Sequence, residues 1–130
     1  MAGTAPAALD AYEANMRTIL TRLSAALADS SGTRTGDLVV LNMFDPYQND
    51  CLAHPQSRQV FEDLDARLAA VAAEVGAPVV DVFATFGGRV TAQNDLVCTY
   101  TYMCARPQDV HPTRAGHDAI ARALHQTLGY

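Results

Sequence analysis

Asp109-Val110-His111-Pro112 holds the residue types of a proton relay, with a carboxylate two positions ahead of an imidazole. In an extended stretch, residues two apart share a face and lie about 6.6 Å apart along the backbone. The Asp109 carboxylate can therefore reach the ring of His111 and fix its tautomer, which is what a general base needs. Pro112 follows, with a fixed φ and no N–H to lose at a first helical position, so the imidazole is expected at a stiff loop-to-helix junction. The plain alternative is a helix start with a capping Asp and a surface His, and so short a motif taken alone favours that alternative.

The elements that must position this segment are legible as helix, strand, helix, strand, long loop, helix. Residues 7–28 place Leu9, Tyr12, Met16, Ile19, Leu20, Leu23 and Leu27 on one helical stripe, and Gly32 and Gly36 mark the turn out of it. Leu38 to Met43 is a continuous apolar run, the signature of a strand buried on both faces in a parallel sheet, and Pro46 ends it. Residues 56–75 carry Val60, Phe61, Leu64, Leu68, Val71 and Val75 at helical spacing, stopped by Gly76 and Pro78. Pro78 to Phe83 reads as the second strand. Residues 84–111, with Gly87-Gly88 and few periodic apolar positions, read as a long loop on the side of the site. The last helix, 113–128, is expected to bury Ile120, Leu124 and Leu128. A β-α-β order with right-handed crossover makes the two strands parallel.

A chain of 130 residues is one domain's worth, and with 49% hydrophobic and 18% charged residues it can build a core. Its net charge of −5 and scattered basic residues argue against a nucleic-acid partner. No apolar run approaches the length of a membrane span. The opening Met1-Ala-Gly-Thr-Ala-Pro6 lacks a basic region followed by an apolar segment, so no signal peptide is expected. Three cysteines and four histidines occur without Cys-x-x-Cys or His-x-x-x-His spacing, so no metal and no cofactor is expected; His54 and His125 read as solvated surface residues.

The block Asp109-x-His111-Pro112-Thr113-x-x-Gly116-His117, running into an Ala-rich terminal helix, resembles the last conserved block of the SGNH (GDSL-type) hydrolases. Upstream, Tyr12-x-x-Asn15-Met16-x-x-Ile19-Leu20-x-x-Leu23 is similar to the helix after this family's third motif. Leu38 to Tyr47 is similar to its next strand and substrate-side loop, and Val79-Val-Asp-Val-Phe83 to the strand after that. Cys98-Thr-Tyr-Thr-Tyr-Met-Cys104 resembles the secreted bacterial members. The two cysteines bracket a short loop that can close as a small disulfide, worth on the order of 2–3 kcal/mol in the chain-entropy account. Cys51 is then left over, buried or free.

The resemblance implies an α/β chain, a partial three-layer α/β/α (flavodoxin-like) arrangement with two parallel strands and three main helices. It implies one domain over 1–130, the C-terminal portion of an SGNH hydrolase. The family's nucleophilic Ser and its oxyanion Gly and Asn belong to blocks that precede the first helix here, and this sequence contains no replacement. Ala28-Asp29-Ser30-Ser31-Gly32 follows a helix and reads as a polar turn. Gln48-Asn49-Asp50 and Gln93-Asn94-Asp95 lack the Gly of the family's Asn block and fall in the wrong place.

The implied activity is acyl-ester cleavage by Ser/His chemistry, with the chain inactive alone; the alternative is a non-catalytic interaction module on the same scaffold. His111 is the implied catalytic base. The family spaces its Asp three residues before the His, where this chain has Gln108, so Asp109, Gln108 or a backbone carbonyl could orient the ring. Asn42, Asp45, Tyr47, Tyr100 and Tyr102 fall on loops or strand ends on the site's side and read best as ordinary turn and packing residues. A small-molecule ester is the expected partner if the nucleophile is supplied. An unpaired strand edge is expected to favour self-association and marginal stability. A secreted parent would place the protein outside the cell.

Overall fold

A computed structural model of the chain describes residues 4–49, 53–89 and 96–130. The elements are α1 (Thr4–Ala26), β1 (Val40–Leu41), α2 (Ser57–Glu74), β2 (Val79–Val80), α3 (Val82–Thr85), α4 (Leu96–Tyr100), β3 (Thr101–Tyr102), β4 (Asp109–Pro112) and α5 (Arg114–Leu128). The fold is a mixture of helix and strand, with β1 and β2 paired in parallel and β3 and β4 antiparallel. Among the described residues each sheet has two strands. The chain divides into two compact units, Met1–Val40 with Asp63–Val79, and Leu41–Glu62 with Val80–Tyr130.

In the first unit the helical spacing read from the sequence becomes packing. Leu20, Val40, Leu68, Val71, Ala72 and Ala77 form a buried cluster, and Tyr12, Met16, Leu38, Val75 and Val79 pack against it. Burial pushes the Tyr12 phenol pKa up, and the nearby Asp65 carboxylate adds to the effect. The stripe on α1 is narrower than expected, since Ile19 and Leu23 stay exposed while Leu20 is buried. Gly76 ends α2 with a left-handed φ of +63°, and Arg34 donates to the freed carbonyls of Val75 (2.7 Å) and Gly76 (2.8 Å). Ala28 to Gly32 forms the expected polar turn. The Asp29 carboxylate accepts from the Ser31 hydroxyl and from the Ser31 and Thr33 amides, which hold its pKa low. The Asp29-Ser30 pair is thus a turn and not a nucleophile block.

The second unit is built on Val80, Val82, Phe83, Phe86, Val97, Thr101 and Ala119, all buried. Phe86 stacks on Phe44 with ring centroids 4.5 Å apart and tilts against Tyr100 at 5.2 Å. Asp45 is buried as a turn opener, accepting from the Tyr47 amide (2.9 Å) and the Ser57 hydroxyl (2.8 Å). Asn42 donates to Asp81 and accepts from the Phe83 amide. These contacts give Asn42 and Asp45 the structural roles expected of them. His54 and His125 are exposed, their rings set against Tyr47 and Tyr130.

Several boundaries differ from the sequence reading, each for a local reason. The first strand is Val40–Leu41 and not Leu38 to Met43, and it is not buried on both faces, because Leu41 is 43% and Met43 58% exposed. The second strand stops at Val80 because Asp81 turns the chain into α3. Its carboxylate accepts from the Ala84 amide, and its carbonyl accepts from the Thr85 hydroxyl. Burial raises the pKa of that carboxyl, and hydrogen bonds from Asn42, Arg89 and the Ala84 amide outweigh the effect and leave it lowered. The stretch read as one long loop instead carries α4 and the β3–β4 hairpin. There Val97 is buried and its carbonyl takes the Thr101 hydroxyl at 2.6 Å, so short-range contacts missed by a periodicity search order the segment. On α5 the fully buried positions are the small Gly116 and Ala119, while Ile120, Leu124 and Leu128 are half-buried. Cys51, Asp50 and Gln93-Asn94-Asp95 lie outside the described residues.

Candidate functional site

Asp109 and His111 meet. The His111 Nδ1 lies 2.5 Å from Asp109 Oδ1, and the same oxygen accepts from the His111 backbone amide at 2.8 Å. One carboxylate oxygen therefore holds both the ring and the backbone of the residue two places on, a local turn that Asp forms readily. The His111 amide and then its ring hold the Asp109 carboxyl below the usual range, so it is ionised at neutral pH. An ionised carboxylate only accepts. The proton between the two groups must then sit on Nδ1, which leaves Nε2 of neutral His111 as a bare acceptor. His111 is 78% exposed in its side chain.

The pair lies where the pairing of β3 with β4 slips register. Thr101 faces Pro112 and Tyr102 faces Asp109, so one step along β3 matches three along β4, and Val110 and His111 are the extra residues. Asp109 and His111 stand two residues apart within β4, as the spacing argument has them.

The far end of the segment is fixed by Thr113 and Gly116, whose roles were missed in the sequence. Thr113, not Pro112, makes the junction with α5. Pro112 closes β4, and Thr113 is the N-cap, its hydroxyl accepting from the Gly116 amide at 3.2 Å. The Thr113 hydroxyl also donates to the Thr99 carbonyl (2.9 Å), and its amide donates to the Tyr100 carbonyl (2.8 Å). A Thr directly before the helical residues is the mark that would have shown the cap. Gly116 lets α5 approach α4, because a Cβ there would stand 2.1 Å from the Tyr100 carbonyl oxygen. Asp109 does not cap the helix, which removes the plain alternative for that residue.

The other candidates separate. Gln108 lies in the β3–β4 loop and makes no hydrogen bond to the His111 ring, whose Nδ1 faces Asp109. Tyr102 is the cross-strand partner of Asp109 and is exposed, so it borders the pair, whereas Tyr100 packs on Phe86. Tyr47 sets its ring against His54, 4.3 Å between centroids. Cys98 and Cys104 form a disulfide with Cα atoms 5.1 Å apart, tying the start of the hairpin loop to α4. Among the described residues no group of three or more His, Cys, Asp or Glu is placed to hold a metal ion, and no helix is long and apolar enough to cross a membrane.

Comparison with protein-family models, with curated proteins and with solved structures finds no match to the chain.

Proposed function

We propose that this chain carries the proton-relay half of an SGNH-type ester hydrolase, with His111 as general base and Asp109 as the group that orients it. The observation supporting this reading is the Asp109–His111 contact in β4, made through Nδ1 of an exposed imidazole. In acyl transfer, Nε2 takes the proton of a hydroxyl as its oxygen attacks the ester carbonyl, then returns it to the departing alkoxide. Asp109 keeps the proton on Nδ1 and stabilises the imidazolium that forms in between. The hydroxyl and the oxyanion donors come from a second segment, since the sequence has no Gly-Asp-Ser after a strand. On this reading β1 and β2 are the last two strands of a three-layer sandwich. The exposed Leu41 and Met43 then belong to a sheet face that a further helix of the sandwich, or another copy of the chain, would cover.

A small alcohol in solution can stand in for the missing Ser. With the purified chain, p-nitrophenyl acetate and increasing methanol, methyl acetate formation is expected to rise above background. His111→Ala should abolish the excess, and Asp109→Ala should reduce it several-fold, short of the roughly 10²–10⁴-fold that positioned acid–base groups contribute in complete sites. Equal rates for the wild-type chain and His111→Ala would contradict the hydrolase reading and favour a non-catalytic interaction module.

A further inference from the structure

The β3–β4 loop forms a groove of about 530 Å³ lined by Met103, Cys104, Ala105, Arg106, Pro107 and Gln108. That volume falls in the range of small-molecule sites. The groove is continuous along the chain with Tyr102 at one end and Asp109 at the other, the two residues that face each other across the hairpin. The Cys98–Cys104 disulfide ties the start of this loop to α4, and β4 follows its end. Arg106 is its one charged lining residue, and it is exposed. Beside it Gln108 offers an amide. The groove therefore presents a planar cation and a neutral donor a few residues from the His111 ring.

We infer that this groove is the subsite for an anionic arm of the substrate, which makes the substrate class an ester that also carries a free carboxylate. Arg106 is the anchoring residue. The inference rests on the Asp109–His111 pair being the proton relay of an ester hydrolase. A guanidinium presents its donors in a fork that matches a carboxylate in two parallel hydrogen bonds, and such charge-assisted bonds are the strong ones. A chain of net charge −5 repels anions in general, so an anion held here must be held by a local cation. The carboxylate bound at 106–108 positions the rest of the molecule along the hairpin toward Nε2 of His111.

The test is amide chemical-shift mapping on the full chain with monomethyl succinate, against dimethyl succinate as the neutral control. The monoanion is expected to shift the amides of residues 103–108 and of His111, saturably, more weakly at high salt. The neutral diester is expected to leave them in place. Arg106→Gln should weaken monoanion binding on the order of tenfold, with Arg106→Lys between the two; unchanged shifts elsewhere show that the variants are folded. Equal binding of the neutral diester, or undiminished affinity in Arg106→Gln, overturns the subsite. The His111 tautomer, read on the same samples, keeps the two readings apart. Anion-selective binding beside a ring protonated on Nε2 overturns the relay, and an Nδ1-protonated ring without anion preference overturns the groove alone.

Discussion

Gly116→Ala is expected to destabilise the chain by about 3 kcal/mol, roughly 10 °C in Tm. In an exposed helix interior the same exchange stabilises by up to about 1 kcal/mol, because Ala is the better helix former. Here the new Cβ would stand 2.1 Å from the Tyr100 carbonyl oxygen and 3.0 Å from its carbon, both backbone atoms that cannot rotate away. The first turn of α5 must lift off α4, and the Thr113 amide then loses the Tyr100 carbonyl at 2.8 Å. That bond fixes the residue two places after His111, so the shift should reach the relay as well as the fold. Thermal unfolding checks the first part and the His111 ring signals the second. A variant as stable as the parent would mean that α5 does not approach Tyr100 this closely.

Phe86→Ala should cost about 3–5 kcal/mol, the range for emptying an aromatic site in a core. Phe86 is fully buried between Phe44 and Tyr100, so its removal leaves two rings without a partner. A typical domain has only about 5–15 kcal/mol of stability, so the loss is a large share of the whole. Tyr100 links this core position to the site, since its ring packs on Phe86 and its carbonyl receives Thr113. Phe86→Leu, which keeps most of the volume, should cost less than about 1.5 kcal/mol. Denaturant unfolding of both variants measures the difference. Equal midpoints for Ala and Leu would contradict the stacked core.

Helical periodicity was the most legible signal. The stripes Tyr12-Met16-Leu20 and Leu68-Val71-Val75 appear as the packed faces of α1 and α2. The parallel pairing of β1 and β2 followed from the β-α-β order, and the Cys98–Cys104 pairing from the loop that the cysteines bracket. Strand extent was not legible from an apolar run. Asp81, one polar residue inside such a run, ends the second strand by capping α3. The hairpin was missed because its strands are short and its order comes from a local Thr101–Val97 bond and from Thr113 and Gly116 contacts more distant in sequence.

Within the site, the meeting of Asp109 with His111 could be read from their spacing, but the register shift against β3 has no mark in the Asp-Val-His triplet itself. Pro112 drew attention because its chemistry is conspicuous, yet the junction is made by the Thr beside it. Gly116 stood within the motif without an assigned role, and an isolated Gly inside a helix pattern costs about 1 kcal/mol against Ala, which by itself does not reveal the close approach to Tyr100. Arg106 carried no signal at all, since its place in a groove depends on how the loop folds.

The central claim is that Asp109 holds His111 with its proton on Nδ1 and leaves Nε2 bare. Long-range ¹H–¹⁵N correlation of the His111 ring at neutral pH, in the wild-type chain and in Asp109→Ala, measures this directly. The account predicts a protonated Nδ1 and an unprotonated Nε2 in the wild type, with the proton moving to Nε2 once the carboxylate is gone. A wild-type ring already protonated on Nε2, unchanged by Asp109→Ala, would show that His111 is a solvated surface residue and would contradict the relay.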